Sequence, residues 1–178
     1  MPRTFTLNEL EELLPVLKDA HKKTPLQPRV DALSSLIGLE NLRSVEPYIV
    51  DTMLDVIINR TDDKPLVTEK ALELGKELIS KFSIQAFPRV IEIIFRGMTV
   101  ESKWKSKVGS LTFLGEYIDR VEKYDRDLLS SCLPELIKAL SDILYDTKPE
   151  VADLAEEVLR KAMKGITNRD LEPFIEDL

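Results

Sequence analysis

Asp62-Asp-Lys-Pro-Leu-Val67-Thr-Glu-Lys-Ala71-Leu-Glu-Leu74 and Asp146-Thr-Lys-Pro-Glu-Val151-Ala-Asp-Leu-Ala155-Glu-Glu-Val158 are two copies of one pattern, Asp-x4-Val-x3-Ala-x2-apolar, 84 positions apart. That separation is two periods of roughly forty residues, the repeat length of a helical solenoid built from two-helix units. Such a stack is close to one-dimensional and presents long surfaces, so its function is sought on turns and faces before enclosed pockets.

Working outward, apolar residues recur at helical spacing almost everywhere and strand-like alternation is absent over any useful length, which predicts an all-α fold. Thr6-Leu-Asn-Glu9 is a capping box opening the first helix, with Leu10, Leu13, Leu14 and Leu17 as its apolar stripe. Its partner is predicted over about 28–42, with Val30, Leu33 and Ile37 inward. Further pairs are predicted at 45–60 with 65–82, 84–98 with 102–122, and 127–145 with 149–166, and a fifth begins near Leu171. Pro15, Pro47, Pro88, Pro134 and Pro173 fall in the leading helix of each pair, where a missing N–H predicts a kink. Pro65 and Pro149 stand instead at the start of second helices, where the missing N–H costs little.

The composition fits one domain over residues 1–178: 43% hydrophobic, 32% charged, with too little Gly and Pro for a low-complexity linker. A single Cys132 excludes an internal disulfide and a Cys-rich zinc site, and the lone His21 cannot furnish the usual histidine ligands of a catalytic metal. No signal core or membrane-length apolar run is present, so a cytosolic monomer without cofactor is expected. The incomplete last copy, Asp170-Leu-Glu-Pro173-Phe-Ile-Glu-Asp-Leu178, suggests a fragment of a longer array.

The signature, the proline in the leading helix and the two-helix period resemble HEAT repeats over nearly the whole chain, giving an α-solenoid of about four antiparallel pairs plus a partial fifth. Three groups of strings are more telling: Ser44-Val-Glu-Pro-Tyr-Ile-Val50; Lys103-Trp-Lys-Ser-Lys-Val-Gly109; and Leu133-Pro-Glu-Leu-Ile137 followed by Tyr145-Asp-Thr-Lys-Pro-Glu-Val151 and Asn168-Arg-Asp-Leu-Glu-Pro-Phe-Ile175. In this order they resemble the N-terminal HEAT domain of fungal-type translation elongation factor three, and the related segment of the HEAT scaffold that senses stalled ribosomes and activates the starvation kinase. The resemblance implies a ribosome-binding module contacting ribosomal RNA and ribosomal proteins. The factor's ATPase cassettes have no counterpart here: Gly-x4-Gly-Lys-Ser/Thr is absent, and Gly75-Lys76 is followed by Glu inside a helical pattern. Many HEAT repeats carry an Arg after the Val that forms a ladder with the Asp. Those positions read here as Thr68, Lys105 and Ala152, so the ladder is expected to be mostly missing.

The net charge is −7, which disfavours indiscriminate nucleic-acid binding, yet Arg96, Lys103, Lys105 and Lys107 against Glu101 form a basic island. Lysines in the first turns of a helix oppose its dipole, so helix stability does not explain them, whereas an anionic partner does. Arg60, Lys64 and Lys148 occupy equivalent turns and extend the island into a candidate rRNA-binding edge. Trp104, placed in register with Val67 and Val151, is expected to pack between helices and position the lysines, with stacking on an exposed base as the alternative. Cys132 has no base beside it and reads as a buried small residue, and His21 as an exposed turn residue. The competing surface is acidic: Glu69, Glu73, Glu77, Asp153, Glu156 and Glu157 lie on the non-core faces of second helices, which line the concave side in HEAT solenoids, and would suit a basic peptide, with a tubulin-binding module as a related alternative. No catalytic residues, metal site or cofactor site is expected, because paired carboxylates lack any closed pocket.

Overall fold

The computed structural model describes residues 4–18, 25–62, 64–99, 102–124 and 126–165. It is an all-α solenoid of paired helices: α1 (Leu7–Lys18) with α2 (Leu26–Leu36); α3 (Leu42–Ile49) and α4 (Met53–Arg60) with α5 (Pro65–Lys81); α6 (Phe87–Gly97) with α7 (Trp104–Tyr124); and α8 (Arg126–Ser131) and α9 (Leu133–Leu144) with α10 (Pro149–Gly165). The trailing helices α2, α5, α7 and α10 pack side by side as one layer, and the leading segments cover them as the other. Between the layers runs one continuous apolar core, from Leu10 and Leu33 through Ile57, Leu74 and Phe113 to Leu140 and Val158. Burial of these aliphatic and aromatic side chains is the main stabilising contribution. The expected fifth pair, with Pro173, and His21 lie outside the described residues.

Local chemistry explains the ends of the elements. The capping box forms as read: the Thr6 N–H donates to Glu9 Oε2 at 2.8 Å and the Glu9 N–H to Thr6 Oγ1 at 3.3 Å. After α2, Gly38 takes φ 83°, a left-handed turn that suits glycine, and its N–H donates to Glu77 of α5 at 2.8 Å. The prolines of the leading segments interrupt helices more than they bend them. Pro88 and Pro134 are the second residues of α6 and α9, each following a break, and Pro47 precedes a 3₁₀ segment at Val50–Thr52 that separates α3 from α4. A proline in the first turn forfeits no helical hydrogen bond, because its N–H would have no partner within the helix, so Pro88 and Pro134 suit a restart; Pro15 and Pro47 instead lie inside α1 and α3.

The expected loss of the Asp ladder is corrected by the structure. Arg29, fourth residue of α2, donates to Asp62 Oδ2 at 2.6 Å and to Asn59 Oδ1 at 2.9 Å. Lys107, fourth residue of α7, donates to Asp146 Oδ2 at 2.6 Å, and both side chains are nine-tenths buried. Each rung ties a trailing helix to the turn of the next repeat. The fourth residue of α5 is Thr68, whose hydroxyl donates to the Asp62 carbonyl at 3.0 Å, and that of α10 is Ala152; rungs therefore join the first repeat to the second and the third to the fourth. Counting from the helix start moves the register by two residues. Trp104 aligns with Pro65 and Pro149, not with Val67 and Val151, and the ladder position falls on Lys107, not Lys105.

Around α7, which receives no rung from α5, glycines bring helices together. A Cβ on Gly75 of α5 would lie 2.2 Å from the buried Phe113 ring of α7, one on Gly97 of α6 would lie 2.0 Å from Ser110 Oγ, and one on Gly109 of α7 would lie 2.9 Å from the Ile57 carbonyl oxygen of α4. Gly75-Lys76 thus serves packing.

Two expected outcomes follow from this packing. Lys107→Met leaves Asp146 in its buried position with only the Lys148 N–H, and should lower stability by about 2–3 kcal/mol in chemical denaturation at neutral pH. The Lys107 hydrogen bond, then the Lys148 N–H, hold the Asp146 carboxyl below the ordinary aspartate range. That contribution is complete above about pH 4 and is lost as pH falls through the depressed native value, so the variant should show a shallower acid-induced loss than the parent. Gly75→Ala gains helix preference of about 1 kcal/mol but forces Phe113 aside, and a net destabilisation of about 1–2 kcal/mol is expected, partly relieved by adding Phe113→Leu.

Candidate functional site

The turns between the helices of each pair form one edge of the stack. Three lysines hold the same place on it: Lys64 directly precedes α5, Lys103 directly precedes α7, and Lys148 directly precedes α10. All three are exposed, and among the described residues none makes an ion pair. Lysine is a poor residue to begin a helix, since its charge faces the positive end of the dipole and it cannot accept from the free N–H groups. Two of the three backbones are fixed identically. The Lys64 N–H donates to Asp62 Oδ1 at 2.8 Å and the Lys148 N–H to Asp146 Oδ1 at 2.9 Å, the same carboxylates that close the two rungs.

The other expected cations divide. Lys107 is corrected: 7% exposed and committed to Asp146, it belongs to the fold and offers no charge to a partner. Lys105 is half-buried, with its ammonium 6.0 Å from the centre of the Trp104 ring. Arg60, last residue of α4, is half-buried with its Nε enclosed and without a hydrogen-bond partner among the described residues. Arg96 pairs with Glu92 at 2.5 Å on the other side of its helix pair's turn. From the original set the edge therefore keeps Lys64, Lys103 and Lys148 as exposed cations without an ion pair among the described residues.

Trp104 is covered over most of its surface but not enclosed. As the first residue of α7 it stands where α5 and α10 have exposed prolines, and it is 38% exposed. Tyr145, in the next turn, was not singled out from sequence; it is 89% exposed, the most open of the large hydrophobic side chains described. Its place directly before the Asp of the repeat pattern, at a position held by Thr61 in the second repeat, was the available signal.

The acidic face is partly neutralised from within. Glu73 pairs with Lys70 at 2.7 Å, Glu77 with Lys81 at 2.5 Å, and Glu156 with Arg160 at 2.5 Å, while Glu69, Asp153 and Glu157 are exposed without an ion pair among the described residues. Pairs between helices, Lys76 with Glu116 at 2.7 Å and Lys161 with Asp119 at 2.5 Å, add further counter-charge to this layer. Exposed pairs of this kind contribute little to stability but remove the continuous negative potential a basic peptide would need. Elsewhere, a cleft of about 590 Å³ lies between α6 and the α8–α9 segment, walled by Ile91, Phe95, Leu128 and Cys132 over Tyr117. Burial pushes the Cys132 thiol up to about 11, so it is a protonated packing group at neutral pH. Among the described residues no helix is long and apolar enough to cross a membrane.

A family model for the EF3 N-terminal HEAT repeat matches residues 6–159. Curated relatives include Elongation factor 3 of Phytophthora infestans, 31% identical over 74% of this chain and 12% of the relative; that of Candida albicans, 30% identical over 84% and 14%; and that of Gonapodya prolifera, 28% identical over 82% and 13%. The chain thus spans only 12–14% of the length of these relatives. With the two-helix repeat, the Asp rungs and the match agreeing over the same residues, the chain belongs to the EF3 N-terminal HEAT repeat family.

Proposed function

We propose that this chain is a ribosome-docking HEAT module of a translation-elongation-factor-type protein, acting in the cytoplasm as a monomer and without catalysis of its own. Its contact edge is the row of turns carrying Lys64, Lys103 and Lys148, and its ligand is the phosphate backbone of ribosomal RNA together with adjoining ribosomal protein. The observation that carries this reading is the triple recurrence of an exposed lysine, without an ion pair among the described residues, at the start of successive trailing helices. The placement opposes helix stability three times, and an anionic partner turns each penalty into an attraction. Family membership favours the ribosome as that partner, since the relatives are named as elongation factors. Repeat spacing adds support: helices pack at roughly 8–10 Å, so lysines in adjacent repeats stand about one helix diameter apart and can engage successive phosphates of a folded RNA. The acidic face is the weaker candidate, because half of its named carboxylates are paired within the chain.

The test is ribosome co-sedimentation across a salt series with the variant Lys64→Glu, Lys103→Glu and Lys148→Glu combined. Each phosphate contact contributes a log–log slope of about −0.7 to −0.9, so the parent should lose affinity steeply with salt and the variant should lose both the affinity and about three contacts' worth of slope. Helicity should be unchanged and thermal stability equal or higher, because acids favour these positions. A variant that still pellets with the parent's salt dependence overturns the reading, and co-sedimentation with tubulin in its place would favour the alternative partner. Calorimetry should also detect no saturable ATP binding by the chain, which has no glycine-rich phosphate cradle; saturation at millimolar ATP or below would contradict the non-catalytic assignment.

A further inference from the structure

The turn of the fourth repeat carries a feature that phosphate pairing leaves unexplained. Tyr145 is 89% exposed, so core packing does not account for it, and the turn beneath it is locked by Asp146, which accepts from both Lys107 and the Lys148 N–H. Lys107 lies one helical turn after Trp104, and Asp146 is the neighbour of Tyr145; the buried Lys107–Asp146 rung therefore holds the two exposed aromatics on adjacent turns of the same edge. Lys103 precedes the tryptophan and Lys148 follows the tyrosine, both exposed. Of the acids described in this turn, Asp146 is neutralised by Lys107, and Glu150 stands in the first turn of α10. An open tyrosine and a partly open tryptophan with cations beside them, on turns tied by Asp146, match the chemistry of an unstacked base with a phosphate on each side. A basic or acidic peptide would use the charges but not both aromatic faces, and a continuous duplex presents no free base face.

We propose that Trp104 and Tyr145 form a stacking platform for an unpaired nucleotide of single-stranded RNA, with Lys103 and Lys148 pairing to the phosphates beside it. This rests on the docking reading above and narrows it: within the RNA contacted, this part of the edge takes a loop, bulge or single strand, while Lys64 meets backbone alone.

Trp104 is the chain's single tryptophan, so its fluorescence reports stacking directly. The probes are an oligouridylate of about 12 nucleotides and a blunt RNA duplex of similar length, spanning the site size of a stacking surface. The single strand should quench Trp104 saturably, and the duplex should bind at least about tenfold more weakly. Tyr145→Ala should weaken the single strand by about tenfold with unchanged helicity and salt slope, Tyr145→Phe should bind as the parent does, and Lys148→Ala should flatten the slope by about one contact. The proposal is overturned if the oligouridylate does not bind, if the duplex binds equally, or if Tyr145→Ala binds as the parent does. Should any of these occur while ribosomes still pellet the chain with a lysine-dependent salt slope, the stacking platform falls and the docking module stands.

Discussion

One carboxylate with two tasks organises this solenoid. Asp146 accepts from Lys107 of the preceding trailing helix on one oxygen and from the Lys148 N–H of its own turn on the other, and Asp62 does the same for Arg29 and Lys64. Buried charges are tolerated only when paired and hydrogen-bonded, so a slip of one repeat past the next would strand two ions at once. Hydrophobic burial supplies the larger stabilisation, but it is nearly indifferent to small slides between helices. The rungs are not: they specify register between repeats, and by the same bonds they fix the turns that carry the exposed lysines and aromatics.

Helix α7 joins the two rung-linked halves. It receives no rung from α5, since Thr68 stands where Arg29 and Lys107 stand in their helices, and it meets α4, α5 and α6 through close approaches that only glycine permits. In place of a rung the joint holds close-packed apolar side chains, with Phe113 and Leu111 fully buried. The same helix supplies Trp104 at its exposed start and Lys107 at its buried fourth position, so one element carries both a structural and a candidate binding residue within a single turn.

Much of this architecture was readable from the chain because the signals are local. The Thr6–Glu9 box, the prolines opening α5 and α10, and the helical spacing of apolar residues depend on neighbours a few positions away. What was misread depends on register between distant segments. The turn before α7 lacks the Asp and Pro that mark the others, so sequence alone does not set its register, and the rung at Lys107 emerges only once the start of α7 is fixed. Lys107 illustrates the physical limit: three lysines two residues apart look alike in sequence, and only the partner 39 positions away decides which one is buried. Tyr145 escaped notice because it continues the apolar rhythm of Ile143 and Leu144 past the end of α9, where the same spacing turns outward.

Alternation of the rungs divides the edge mechanically. Between the third and fourth repeats, a sliding displacement of about an ångström stretches a buried ion pair, and the restoring force is steep because Coulomb attraction in a poorly polarisable interior has no water to replace it. Between the second and third repeats the ion pairs, Arg89 with Asp51 and Lys76 with Glu116, are exposed and screened by water, and they act with dispersion and contact repulsion, so the response to sliding is gentler. Lys103 and Lys148 therefore form a ruler of fixed length, while Lys64, across the compliant joint, adjusts its reach to the ligand. A surface graduated in this way reads one short spacing strictly and accommodates variation beyond it.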